Sequence, residues 1–512
     1  MSRTENAIKN TSANFILLFV NTLLGFVSRV VFTKILGQDY LGVNSLLTNV
    51  VFMLSMAELG IGTAINYSLY KPIADEDIPK IKVLMNFYKK AYYSIGIIVF
   101  VLGLILLLFL DKIVPDPGEV QNLVIIFLIY VFNASYSYFF TYKVTLLEAS
   151  QKNYLISKIN VFFAALIHIA QIIILLLTRK YILYLITSIG LTFVQRIIIN
   201  KRIDKTFPFL QEECNKKLDK KEKQKITKNV KALVFHKIGD YCINGTDNIL
   251  ISIFDSIGAV GIYSNYSLLT STINGFITGF FSSITSSFGN LIATENEKKR
   301  EETFLKINFI AFWLYGFSFI CFFVLIDPFI ELIFGEKYLL GFSIVFVALL
   351  NFYITGMRVP VAIVKNSAGI YDQDKYVPLI QSAINLVVSI ILGAKYGLLG
   401  IFIGTLVSSL ALPNWHRPYI VYKNVFKSSP FKYYLKTIIY FVIVLFSAII
   451  TKYSLDLFYT SGFWMFALRT VLCLVLSNLL LLVFTFNTRE FKELIKMGKE
   501  TSIWKKIKRL QS

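Results

Sequence analysis

Long apolar runs separated by short polar breaks set the pattern of this chain. Residues 97–110 read IIVFVLGLILLLFL, 123–132 read LVIIFLIYVF and 438–450 read IIYFVIVLFSAII. Each belongs to a longer apolar span of about the 20 residues that carry a helix across ~30 Å of hydrocarbon. The pattern predicts about fourteen helices, at 11–36, 40–70, 85–110, 120–146, 153–178, 181–200, 228–254, 258–293, 304–326, 339–366, 376–393, 396–422, 433–452 and 463–486. Runs such as Leu104–Leu110 do not alternate apolar and polar residues, as the strands of a transmembrane barrel would. Every backbone polar group in lipid must be satisfied internally, so the fold class is an all-α, polytopic membrane protein.

Composition agrees, with 55% hydrophobic and 16% charged residues. A soluble fold of this length would need one very large core, and single cores stop growing near ~250–300 residues. The net charge of +21 would suggest nucleic acid in a soluble protein. Here the basic residues sit in loops and in the C-terminal tail, so orientation explains them and no nucleic-acid partner is expected. Sorted by loop, one side of the membrane holds about forty Lys and Arg and the other about seven, which places both termini in the cytoplasm. An even number of helices requires the same. The first apolar span follows a polar stretch up to about Ser12 without a small-residue cleavage site, so no removable signal peptide is expected. Cys214, Cys242, Cys321 and Cys473 lack CxxC spacing, so neither a disulfide nor a metal site is expected.

The longest break, 201–227, ends in KKLDKKEKQKITKN and separates six helices from eight. The chain repeats across it. Residues 35–48, ILGQDYLGVNSLLT, resemble 253–267, IFDSIGAVGIYSNYS; both carry a polar turn, an aliphatic residue, a glycine (Gly42, Gly261) and then a helix with Asn and Ser. Transporters are often built from such repeats, with the substrate site between them. Both halves start in the cytoplasm, so the repeat is parallel. The expected organisation is a six-helix bundle at 1–200, a basic cytoplasmic linker at 201–227, a second six-helix bundle at 228–422, two extra helices at 423–486 and a basic tail at 487–512.

Charges inside a span cost ~2.5–3.5 kcal/mol each on insertion scales, which makes each a candidate functional residue. Arg29, Glu58, His168 and Arg358 are such residues, as are His236, Lys237, Asp240 and Asp247 in one helix. His236, Asp240, Ile243 and Asp247 fall on one face of that helix. Lys237 and Asp240 also read as a self-neutralising pair that eases insertion. Asn14, Asn21, Gly25, Ser28 and Arg29 form a polar stripe on the first helix. Asn44, Thr48, Ser55, Glu58, Gly62 and Asn66 do so on the second, and Ser264, Asn265, Ser267, Thr270, Ser271, Asn274 and Thr278 on the eighth. Small and amide residues on one face also serve as helix-packing surface. As a cavity lining, Asn21, Asn44, Asn265 and Asn274 would bond sugar hydroxyls, and Arg29, Lys237 or Arg358 would meet phosphate. Glu58, Asp240 and Asp247 are the candidates for coupling H⁺ or Na⁺. Arg196, His416 and Arg469 lie near span ends and read as interfacial anchors.

The segment RVVFTKILGQDYLGVNSLLTNVVFMLSMAELGIGTAINYSLY, with Ile35-Leu36-Gly37-x-x-Tyr40-x-Gly42 and the Glu58-Leu59-Gly60 turn, resembles the polysaccharide-transporter branch of the multidrug/oligosaccharidyl-lipid/polysaccharide (MOP) exporter superfamily. The resemblance implies a V-shaped pair of parallel six-helix bundles with two added helices. It implies a flippase, not an enzyme, for undecaprenyl-pyrophosphate-linked oligosaccharide repeat units of capsule, O-antigen or exopolysaccharide, in the bacterial cytoplasmic membrane. Membrane lipids, a polysaccharide polymerase and glycosyltransferases would be its partners, with no cofactor. A basic residue in the first helix is the nearest match to the family's cavity residues, and Arg29 fills it. The acidic first-helix residue common in cation-coupled drug exporters is absent, which weighs against a multidrug exporter of the same superfamily. A polymerase or ligase would need catalytic residues in a sizeable external loop, and the longest here lies around Asp111–Glu119.

Overall fold

The computed structural model describes residues 3–58, 61–212, 218–219, 224, 245–370, 372–457 and 462–500. Among these the chain is helical throughout. Its main helices are α1 (Arg3–Leu54), α2 (Ile61–Ala74), α3 (Ile78–Leu107), α4 (Leu110–Ile113), α5 (Leu123–Ala149), α6 (Tyr154–Thr178), α7 (Tyr181–Thr206) and α8 (245–254). They continue with α9 (Ile257–Thr294), α10 (Glu297–Phe334), α11 (Phe342–Gly356), α12 (Val359–Ser367), α13 (Val377–Ala411), α14 (Pro413–Val421), α15 (Phe431–Asp456), α16 (Phe463–Thr485) and α17 (Arg489–Glu500). Among the described residues ten stretches are long and apolar enough to cross a bilayer, which makes this a multi-pass membrane protein. Of the expected spans, 40–70 runs through residues 59 and 60, which lie outside the described residues, and of 228–254 only 245–254 is described; the bodies of the others fall on described helix. His236, Lys237, Asp240, Cys214, Cys242 and most of the expected linker lie outside the described residues.

Two of the helices are each two spans joined at one glycine. α1 has 52 residues; straight, it would run about 78 Å at 1.5 Å per residue, more than twice a bilayer core. Gly37, at φ 85° and ψ −174°, breaks it. Gly397, at φ 55° and ψ −134°, breaks α13 in the same way. A side chain would be strained at either φ. The arms of α13 then pack against each other: Asn385 donates to Thr405 Oγ1 at 3.0 Å and Ser389 to the Ile401 carbonyl at 3.2 Å. The expected division of this region into 376–393 and 396–422 matches the break. The expected span 339–366 is interrupted instead, between α11 and α12, where Pro360 stands in the first turn of α12 and needs no amide hydrogen. α7 runs past the expected end at residue 200, and Lys143 of α5 holds that extension by an ion pair to Asp204 at 2.7 Å.

The chain packs as two compact units, Met1–Ser264 and Asn265–Ser512. In the first, the arm of α1 after Gly37 packs deeply, with Leu41, Val43, Leu46 and Leu47 fully enclosed, while Phe52 near its end is exposed. The earlier arm exposes Ile16, Phe19, Leu23 and Val27. An exposed apolar row of this kind is a liability in water and the ordinary solvent face in lipid. In the second unit α10 is the centre, packed on by α11, α15 and α16. Its Phe304, Phe312, Tyr315, Phe319 and Ile320 are fully buried, and Phe312 stacks on Tyr440 of α15 with ring centroids 4.1 Å apart. α17 is clamped to the start of α10. Lys306 and Arg489 both bind Glu493 and hold its carboxyl below the ordinary value, and Phe491 stacks on Trp313.

Candidate functional site

The two echo segments meet. A Cβ on Gly42 would lie 1.9 Å from the carbonyl oxygen of Ile257, and one on Gly261 would lie 2.0 Å from that of Gln38. Ile257 stands four residues before Gly261, and Gln38 four before Gly42, so the contact is reciprocal. Only glycine at both positions lets the second arm of α1 and the first turns of α9 touch backbone to backbone. Arg29, one arm earlier on α1, reaches the same place: its guanidinium donates to the Ser264 hydroxyl, which donates to the Gly261 carbonyl at 2.6 Å. Asp39 fills the turn between the arms. Its carboxylate accepts from the Glu119 amide at 3.1 Å and faces Gly118 and Gly258, so it ties the loop before α5 to the start of α9.

Other expected residues take up different positions. The Asn44 carboxamide oxygen accepts from Tyr130 at 2.5 Å and from Tyr181 at 3.2 Å, and these two hydroxyls lie 3.0 Å apart. Asn44 is thus a hub joining α1, α5 and α7. Glu58, in the single turn after α1, accepts from Tyr92 of α3 at 3.0 Å. Asn21 is exposed on α1, and Asp247 is half-buried on α8. His168 of α6 packs against Gly25 of α1. Arg196 of α7 donates to the Ser137 carbonyl at 3.4 Å and lies over the Tyr136 ring, both of α5.

In the second unit Asn265 is buried, and Asn274 accepts from Tyr315 of α10 at 2.9 Å. Arg358 caps the gap between α11 and α12, donates to Thr355 at 3.0 Å and lines an apolar cavity with α13, α14 and α15. Lys237 and Asp240 lie outside the described residues. The sequence reading missed Asp39 and the tyrosines. It also missed Asp327 of α10, which accepts from Tyr266 of α9 at 2.7 Å. Asp327 carried a signal, being a charge within an apolar helix beside Pro328. The tyrosines carried none that spacing could expose.

The arrangement combines a guanidinium on the first membrane helix, a hydroxyl partner on α9 and a close glycine contact beside it. The profile of the polysaccharide biosynthesis protein family matches residues 7–286, just over half of the chain, and spans both echo segments. The chain belongs to this family. No curated protein matches it. Among solved structures, the lipid II flippase MurJ in an inward closed conformation is 16% identical, with a TM-score of 0.63 over 96% of this chain and 100% of that one. An inward-facing multidrug resistance MATE family transporter of the MOP superfamily is 13% identical, with a TM-score of 0.61 over 80% of this chain and 99% of that one. The Vibrio cholerae MATE transporter VcmN in its bent form is 13% identical, with a TM-score of 0.52 over 84% of this chain and 98% of that one. At these identities the likeness is one of fold. This member of the polysaccharide biosynthesis protein family has the MOP superfamily fold.

Proposed function

We propose that this protein is a flippase that moves undecaprenyl-pyrophosphate-linked oligosaccharide repeat units across the cytoplasmic membrane by alternating access, for capsule, O-antigen or exopolysaccharide synthesis. Family membership and the fold it shares with a lipid II flippase support the reading. The observation that carries it is Arg29 on the first membrane helix, bonded to a neutral hydroxyl of α9. The task is to replace water around a headgroup that hydrocarbon cannot solvate. A pyrophosphate displaces a hydroxyl from a guanidinium, because a charge-assisted, bidentate pair is the stronger one. Binding would therefore compete with the Arg29–Ser264 bond, and the bundles at 1–200 and 228–422 would rock as it breaks. Glu58, Asp247 and Asp240 are the acids through which H⁺ or Na⁺ would drive the return step. The polyprenyl tail stays in lipid throughout.

A strain lacking the gene and complemented with variants tests the residue. Arg29→Ala lowers cell-surface polymer at least tenfold at equal protein level, and Arg29→Lys restores part of it, since lysine keeps the charge and loses the fork. Normal polymer from Arg29→Ala contradicts the assignment. Dye efflux with no polymer defect would favour the drug-exporter reading.

A further inference from the structure

A cavity of about 250 Å³ lies in the second unit between α11, the junction of α13 with α14, and the start of α15. Its walls are almost wholly apolar, with Ile354, Met357, Leu406 and Phe441 among them. Three lining residues, Leu410, Trp415 and Ile438, are exposed and mark where it opens. The Trp415 ring packs on Tyr434 at 5.2 Å, and the Tyr434 hydroxyl donates to the Trp415 carbonyl at 2.6 Å. Tryptophan and tyrosine gather at the depth of lipid headgroups. A Trp–Tyr pair at the mouth is what an opening toward the bilayer at headgroup depth would carry.

Two arginines interrupt the apolar wall, Arg358 and Arg417, and the Arg417 guanidinium lies 3.2 Å from Asp374, a carboxylate it shares with Lys365 at 2.7 Å. Two cations on one carboxylate, with Arg358 beside them, make this end electropositive.

The volume falls below the ~300–1,000 Å³ of sites that enclose a whole ligand, so one aliphatic chain fits and an oligosaccharide does not. Sugar hydroxyls against these walls would also go unpaired. An electropositive end at headgroup depth fits a phosphate. We propose that the cavity holds one acyl chain of an anionic glycerophospholipid of the bilayer. Arg358 meets the phosphate, and the apolar wall takes the chain. The site is a lipid site independent of the flippase reading, and it assigns Arg358 to a bilayer lipid.

The test uses the full chain, stripped of lipid in detergent and returned to nanodiscs containing phosphatidylglycerol, phosphatidylethanolamine or undecaprenyl phosphate, with bound lipid counted by native mass spectrometry. Phosphatidylglycerol is retained at about one per chain and phosphatidylethanolamine is not. Arg358→Gln weakens retention about tenfold, and Leu406→Trp, which fills the cavity, abolishes it; circular dichroism and monodispersity identify any variant that fails to fold. Equal retention by Arg358→Gln and the parent overturns the proposal, as does equal retention of the two phospholipids. Retention of undecaprenyl phosphate in place of phosphatidylglycerol also overturns it, and would give the cavity to the tail of a lipid-linked substrate.

Discussion

The Asn44 carboxamide oxygen takes hydrogen bonds from Tyr130 and Tyr181, and this single acceptor joins three helices. The expected role of Asn44 was to meet a sugar, and amides were singled out for that reason. The partners that claim it were illegible, because the chain has 29 tyrosines and none stands out by spacing. Charged residues were legible, since each is costly in a span; Arg29 was found for that reason and lies at the contact between α1 and α9. Asp39 lies in the polar turn of the first echo segment, and only the fold brings the loop before α5 to its carboxylate. The asymmetry of hydrogen-bond loss gives a prediction here. Asn44→Leu removes the acceptor, leaves a phenol unsatisfied and costs about 1–3 kcal/mol. Tyr130→Phe removes one donor while Tyr181 still serves Asn44, and costs about 0.5–1.5 kcal/mol. Denaturant unfolding in detergent measures both; a larger loss for Tyr130→Phe would show that Asn44 is not the hub.

At the level of helices, length and apolar content put most of the expected spans on helix, ten of the described stretches being long and apolar enough to cross a bilayer, and the break at Gly397 lies within a few residues of the expected one. The extension of α7 and the docking of α17 were not legible, because each depends on ion pairs with residues remote in sequence: Lys143 with Asp204, and Glu302 with Arg489. The echo of Gly42 in Gly261 is a repeat in the sequence, and the fold makes it a contact, because residues remote in the chain, Gly42 with Ile257 and Gly261 with Gln38, are brought backbone to backbone. Reciprocity makes that contact testable. Either Gly42→Ala or Gly261→Ala drives a Cβ into a backbone carbonyl, and the two helices must part to admit it. Once they have parted, the second alanine meets little further resistance. The double variant therefore loses less stability than the sum of the singles, by about 1 kcal/mol or more, as expected for residues that share one backbone shift. Thermal unfolding of the three variants reads this directly, and strict additivity would mean that the glycines do not act on one contact.

Across the whole molecule, the all-α membrane class followed from the apolar pattern, because lipid permits so few backbone solutions. The family, expected from the segment around Gly37, is carried by the profile match, and the fold is shared with a MATE family transporter and a lipid II flippase. What the pattern could not supply is which polar groups face a substrate and which satisfy one another. Asn44, Asn274 and Glu58 each have tyrosine partners inside their own unit, and composition cannot distinguish such a partner from a ligand. The account therefore rests on Arg29 as the group that meets pyrophosphate during transport. Proteoliposomes containing the purified chain and an undecaprenyl-pyrophosphate oligosaccharide in one leaflet test it most directly, with a lectin or enzyme probe reporting the sugar in the other leaflet. The account predicts translocation that depends on the protein and falls at least tenfold in Arg29→Ala. Folded protein that leaves the sugar where it started, or an Arg29→Ala variant that moves it at the parent's rate, would contradict it.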